Sequence, residues 1–214
     1  MKIVAVMPIK LKSERCPGKN IRNLGEKPLL AYELESLSRV GPLDSINVFC
    51  SSEDVIPYLP DGVTFIKRDP SLDLPTSNFN QIFSAFMEEV DADIYVYAHA
   101  TAPFIKTETM KECIEAVASG EHDSAFCAQV IQTFLWQDGK PLNFDASNLP
   151  RTQDLKPIYR ETSGIYVFTK ETYLKYRRRI GVKPFIKCVS YKEAVDIDNP
   201  EDFELAEALL NLDI

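Results

Sequence analysis

The chain has 214 residues, 45% hydrophobic and 26% charged, enough to bury a sizeable core and far from a disordered or fibrous composition. Its formal net charge of −8 argues against nucleic acid as a partner. Five scattered cysteines (Cys16, Cys50, Cys113, Cys127 and Cys188) form no Cys-x-x-Cys pair, which excludes a complete disulfide framework and points away from zinc. Buried or idle thiols are the simplest reading, including Cys16, although its basic neighbours would lower a thiol pKa.

The uncharged run Ile3–Ile9 is too short for a membrane span, and no small-residue cleavage site follows, so a cytoplasmic location is expected. Within it, Ile3 to Met7 reads as a buried strand that Pro8 ends. A polar loop runs to about Leu24 and gathers Lys10, Lys12, Arg15, Lys19 and Arg22 within 13 residues, against the overall negative charge. A helix is predicted from about Pro28 to Arg39, with Leu29, Leu30, Leu34 and Leu37 on one face. Strands follow at Ile46–Cys50 and Val63–Lys67, then a helix at Ser77–Val90 capped by Thr76 or Ser77. Ile94–Ala98 is a strand, Thr107 caps a helix to about Ser119, and Asp123–Val130 is a strand. The stretch from Gln132 to about Tyr159 is irregular and proline-rich, which is usually functional or interfacial in a compact domain. Strands are read at Gly164–Phe168, Phe185–Val189 and Ala194–Ile197, with a helix at Glu171–Arg178. Pro200 opens the last helix, to Leu210.

Alternating strands and helices imply an α/β domain with a mostly parallel sheet covered on both faces, spanning the whole chain, 1–214. Ligands of such sheets bind beyond the carboxyl ends of the strands, so the loops after Met7, Cys50, Ala98 and Val130 should line one cleft.

Three segments carry chemistry. The first is the loop Met7-Pro8-Ile9-Lys10-Leu11-Lys12-Ser13-Glu14-Arg15-Cys16-Pro17-Gly18-Lys19-Asn20. Lysine, arginine, a hydroxyl and a glycine after a buried strand suit a polyphosphate, without Walker spacing; a solvated charged loop is the alternative. The second is Asp196-Ile197-Asp198. On a strand, residues i and i+2 share a face, so both carboxylates could hold one magnesium ion while Ile197 packs inward. Solvated acids ahead of a helix would read the same way. The third is His99-Ala100-Thr101-Ala102-Pro103-Phe104 at a strand end, where a histidine titrating near neutrality could meet a ligand or serve only the structure.

The pattern Pro-x-Lys/Arg-x-x-Ser-x-Arg-x-Pro-Gly-Lys-Asn resembles the nucleotide-binding signature of the CMP-sugar synthetases. These are the acylneuraminate cytidylyltransferases and their relatives acting on 3-deoxy-octulosonate, legionaminate and pseudaminate. Asp-Ile-Asp-x-x-x-Asp-Phe is similar to that family's metal-binding segment, and His99 to Phe104 to its Gln-Pro-Thr-Ser-Pro-Leu stretch. Arg68-Asp69-Pro70 with Thr76-Ser77-Asn78 resembles the cytosine-contacting region, and Tyr159 to Tyr166 the Arg-x-Asn-Gly-x-Ile-Tyr segment. Lys10 stands where arginine is usual, Leu11-Lys12 replaces a small pair, Glu14 replaces a common lysine, and Thr162-Ser163 replaces Asn-Gly.

The resemblance implies a three-layer, Rossmann-like fold of the nucleotide-diphospho-sugar transferase type, with a protruding dimerisation arm at about 132–160. It implies that Pro8, Lys10, Ser13, Arg15, Lys19, Asn20, Arg68 and Ser77 bind the nucleotide, with Lys10, Lys19 and Asp198 catalytic. His99, Thr101 and Arg160 would bind an acidic 2-keto sugar, and Asp196 and Asp198 would hold Mg2+. The implied reaction is transfer of CMP from CTP to the anomeric hydroxyl, releasing pyrophosphate, in a homodimer that engages neither nucleic acid nor membrane. A nucleotidyltransferase with another nucleotide or sugar, or a non-catalytic nucleotide-binding relative, is the alternative. A glycosyltransferase is disfavoured because its Asp-x-Asp usually lies mid-chain, whereas here it opens the last predicted helix.

Overall fold

Residues 1–41 and 43–212 are described by the structure, a computed structural model. The strands are β1 (Ile3–Ile9), β2 (Asn23–Leu24), β3 (Lys27–Pro28), β4 (Ser45–Cys50), β5 (Val63–Lys67), β6 (Ile94–Ala98), β7 (Ser124–Ile131), β8 (Trp136–Gln137), β9 (Lys140–Pro141), β10 (Ile158–Thr169) and β11 (Pro184–Cys188). The helices are α1 (Leu29–Ser38), α2 (Phe79–Glu89), α3 (Thr107–Ala118), α4 (Lys170–Tyr176) and α5 (Pro200–Leu210). Seven strands form the main sheet in the order β11-β7-β10-β6-β1-β4-β5. Every pairing is parallel except those of β10, which runs antiparallel to both β6 and β7.

The continuous apolar runs in β1 and β6 follow from burial on both faces of the sheet. On one face α1 and α3 pack Leu30, Leu34, Leu37, Met110 and Ile114 against Ala5, Met7, Val48, Val96 and Val167. On the other, Phe83 and Phe86 of α2 and Tyr173 of α4 meet Tyr95, Tyr97, Tyr166 and Phe168. Phe83 is the hub there, with ring centroids 4.5 Å from Tyr173, 4.9 Å from Phe168 and 5.0 Å from Tyr95. A smaller cluster of Leu24, Leu29, Ile197, Phe203 and Ala206 fastens the β2–β3 hairpin and α5 to the segment before α5.

Local chemistry moved several expected boundaries. Pro8 does not end β1: pairing with β6 stops at Val6, but pairing with β4 continues through Pro8 to Ile9. The α2 cap is Asn78, not Thr76 or Ser77, in a reciprocal capping box with Gln81. Lys106, not Thr107, precedes α3, and the Thr107 hydroxyl donates to the Ser36 carbonyl instead. Helix α4 stops at Tyr176, with Arg177 in the left-handed conformation after it. Ala194–Ile197 is not a strand, because its backbone serves two distant segments: the Ile197 N–H donates to the Thr101 carbonyl and the Ile197 carbonyl accepts from Lys19. The irregular stretch is partly ordered, since β10 begins at Ile158 and Asp138-Gly139, both at positive φ, turn a small β8–β9 hairpin.

Candidate active site

The parallel register brings the carboxyl ends of β1, β4 and β6 to one side of the sheet, from which the segments after Ile9, Cys50 and Ala98 emerge. The amino end of β10 arrives at the same side because that strand runs in reverse.

The loop after β1 folds back on itself around Gly18, whose φ of 69° is the left-handed region that favours glycine. Cys16 is buried beneath it, as a packing thiol should be, and its N–H donates to the Ser13 hydroxyl at 3.4 Å. The short turn Lys19–Ile21 follows. Lys19 is only 8% exposed; its Nζ donates to the Ile197 carbonyl at 2.6 Å and to Asp198 Oδ1 at 2.9 Å. Arg15 reaches the other oxygen of the same carboxylate at 2.9 Å. Burial raises the Asp198 pKa, but Lys19 and Arg15 outweigh that effect and hold the carboxyl below its usual range. Asn20 donates to the Lys10 carbonyl at 2.9 Å, while its own side-chain oxygen is buried without a partner among the described residues. Lys10, Ser13, Glu14, Arg15, Lys19, Asn20 and Pro75 enclose a recess of about 360 Å³.

Pro75 belongs to the 70–78 segment, which Arg68 anchors. Arg68 is buried and grips Asp73 through Nε and Nη2, at 3.2 and 2.6 Å, leaving Nη1 buried and unpartnered among the described residues. The Ser77 hydroxyl donates to the Ser71 carbonyl at 3.1 Å, so it braces the same turn.

Asp196 and Asp198 flank buried Ile197, as the sequence pattern suggests, but in a loop rather than a strand. They hold different partners. Asp196 Oδ2 accepts from the Ser163 hydroxyl at 2.5 Å, and Oδ1 is buried without a partner among the described residues. Asp196, Ser163, Thr162, Arg160, Glu161, Tyr191 and Asp202 belong to the lining of a second recess, of about 510 Å³. Arg160 forms no ion pair there among the described residues.

His99 adjoins the second recess through Ser163, one of its lining residues, with Nδ1 2.6 Å from the Ser163 carbonyl. Burial pushes its pKa below the ordinary histidine value. Thr101 contributes its carbonyl, which accepts from the Ile197 N–H at 2.9 Å and ties the His99 turn to the acidic loop.

Several groups around the site were absent from the sequence reading. Glu33 is fully buried on the inner side of α1, and burial raises its pKa well above the carboxylate range, with the His99 backbone and Asp196 nearby. Its place three residues after Leu30 and four before Leu37, on the helix's apolar stripe, was the available signal. Glu193 accepts from Thr109 at 2.6 Å and from Ser190 at 3.1 Å, fastening the turn before Asp196 to α3. Ser163 bridges His99 and Asp196 through its carbonyl and hydroxyl.

The architecture is a Rossmann-like α/β fold, and a solved CMP:2-keto-3-deoxy-manno-octonic acid synthetase complexed with CTP shares it. That structure superposes with a TM-score of 0.75 at 18% identity, covering 98% of each chain. The chain belongs to the cytidylyltransferase family, whose model, described as Cytidylyltransferase, matches residues 4–214. It is similar to an N-acylneuraminate cytidylyltransferase of Streptococcus agalactiae serotype V, 23% identical over 95% of this chain and 52% of that protein. It is also similar to a CMP-N,N'-diacetyllegionaminic acid synthase of Legionella pneumophila, 25% identical over 99% of this chain and 97% of that protein. The chain spans about half the length of the streptococcal relative.

Proposed function

We propose that this protein is a cytidylyltransferase that transfers CMP from CTP to the anomeric hydroxyl of an acidic 2-keto sugar, of the sialic or legionaminic type, releasing pyrophosphate. The observation that carries this reading is the buried Lys19, joined with Arg15 to Asp198 at the carboxyl end of the sheet. Two cations on a single carboxylate are ready to receive the triphosphate, an anion that brings more negative charge than Asp198 offers.

In this reading Lys10, Ser13, Arg15 and Lys19 hold the phosphates, Asn20 meets the ribose through its unpartnered oxygen, and Pro8 shapes the start of the loop. The orphaned Nη1 of Arg68 suits a carbonyl acceptor on cytosine, with Ser77 bracing the segment that carries it. His99, Thr101 and Arg160 receive the sugar. Its anomeric oxygen forms a bond to the α-phosphorus as the bond from that phosphorus to the pyrophosphate oxygen breaks, and the hydroxyl proton is released. Lys19 and Lys10 offset the charge that develops on the phosphates, and the two recesses align nucleophile and electrophile.

Mg2+ fits the residues present. Magnesium takes one or two carboxylates, with water and substrate phosphates completing its shell. The partnerless Asp196 Oδ1 and the partly exposed Asp198 are such a pair, and no cluster of three or more metal-ligating side chains occurs among the described residues. When bound, the ion would neutralise phosphate charge and orient the triphosphate.

The whole chain would act as one domain whose 132–160 arm docks on a second copy in a homodimer. Five unpaired cysteines suit the reducing cytoplasm, and among the described residues no helix is long and apolar enough to cross a membrane. The test is incubation with CTP, magnesium and a panel of 2-keto sugar acids. Pyrophosphate release with one or more of them is expected, and none with any would sink the reading.

A further inference from the structure

Three elements build a slot around His99. Its ring lies edge-on to Tyr97 of β6 at 5.2 Å and to Tyr166 of β10 at 5.7 Å. The Ser163 carbonyl, 2.6 Å from Nδ1, can only accept a hydrogen bond, so Nδ1 carries the proton. Nε2 is the nitrogen left for a ligand. A neutral ring offers a hydroxyl an acceptor there, whereas an imidazolium would offer a carboxylate a donor.

The third element is the connection from α4 to β11. Arg179 lays its guanidinium 3.7 Å over the Tyr166 ring and donates to Glu161 Oε1 at 2.9 Å. The same carboxylate oxygen accepts from the Tyr166 hydroxyl. One oxygen thus ties down both the phenol and the cation stacked on it, and the phenol is a wall of the His99 slot. Glu161 also lines the recess that holds Arg160, Ser163 and Asp196.

We propose that Arg179, clamped on Tyr166 by Glu161, is a positioning residue that presents His99 to the sugar as a neutral hydrogen-bond acceptor at Nε2. This rests on the cytidylyltransferase reading and divides the sugar's recognition between two residues. A hydroxyl donates to His99, and the carboxylate goes to Arg160, which has no acid partner among the described residues. The charged and titratable groups facing the ring agree with a neutral imidazole. Burial against Tyr97 and Tyr166 acts most strongly to lower its pKa; the Ser163 carbonyl opposes this, Arg179 reinforces it, and Asp196 and Asp198 pull weakly upward. Burial also raises the pKa of Glu33, which lies near the His99 backbone.

The chain has 2 histidines, so nitrogen-15 imidazole spectra contain two ring systems, and His99→Gln assigns them. In the free protein His99 should keep its proton on Nδ1 and should take up a second proton only below the ordinary histidine range. Arg179→Gln should raise the His99 midpoint. It should also raise the sugar KM roughly tenfold at neutral pH while kcat stays within a few-fold, with Arg179→Lys intermediate. A proton on Nε2 of the neutral ring in the wild-type spectrum, or a His99 midpoint at or above the ordinary histidine value, would overturn the proposal whether or not any variant folds. An unmoved His99 midpoint in a folded Arg179→Gln protein would overturn it too. These spectra need no turnover, so they stand apart from failure of the cytidylyltransferase reading, which would show as missing pyrophosphate release in the wild type.

Discussion

Lys19 and Asp198 neutralise each other across 179 positions of chain, and the proposed nucleotide would compete for that pairing. Lys19→Ala removes a buried cation and should weaken CTP binding by about 1.5–3 kcal/mol, roughly ten- to 150-fold, with turnover falling at least as far. Calorimetry showing unchanged CTP affinity would dismiss the phosphate role. Asp198→Ala acts oppositely on binding: it frees Lys19 and Arg15, so CTP without magnesium should bind at least as tightly, while turnover with magnesium collapses. Turnover within a few-fold of wild type in both Asp196→Ala and Asp198→Ala would remove the metal assignment. Because the folded-state pKa of Asp198 is depressed, its ion pairs contribute stability that is complete above the ordinary carboxylate pKa. That contribution is lost as pH falls through the depressed value. Melting temperature measured from neutral to acid pH should therefore fall less steeply in Asp198→Asn than in wild type.

At the scale of elements, the close fit of β10 against the segment before α3 can be tested at Gly164. A Cβ there would lie 2.6 Å from Ile105 Cδ1 and 3.0 Å from Cγ1, and Ile105 is buried with little room to retreat. Gly164→Ala should cost about 1–3 kcal/mol, read as a lower denaturation midpoint; an unchanged midpoint would mean that Ile105 moves freely. Neither glycine nor isoleucine announces this contact locally, since it is purely tertiary. The parallel strands were legible because burial on both faces leaves uninterrupted apolar runs such as Ile3–Met7 and Ile94–Ala98. The basic loop was legible because glycine, proline and clustered charge all fall after the first run. The loop character of Ala194–Ile197 was not, because its backbone partners, Lys19 and Thr101, lie far away in sequence. Glu33 and the Arg179–Glu161–Tyr166 clamp were hidden for the same reason: their meaning depends on what faces them across the sheet.

For the whole molecule, the arm between β7 and β10 leaves Trp136 61%, Leu142 54% and Leu149 65% exposed, with Phe134 and Phe144 packed 4.6 Å apart beside them. So much exposed apolar surface on one segment is what the proposed partner subunit would cover. Light scattering should give twice the 24.2 kDa chain mass, and Trp136→Asp combined with Leu142→Asp should shift it toward the monomer. A wild-type mass of one chain at micromolar concentration, with full activity, would rule the dimer out. The strand order carries a different consequence. Among the described residues β6 and β7 share no ladder; β10, made after both, is the strand that joins a four-stranded raft (β6-β1-β4-β5) to a two-stranded one (β7-β11). Until Ile158–Thr169 slots into that gap the rafts share no ladder, and His99 on one side cannot reach Ser163 on the inserted strand. Joining the rafts and completing the floor beneath the proposed sugar pocket should therefore be one event. In refolding followed in real time, protection of the β7 amides and the buried signature of His99 should emerge in the same kinetic phase.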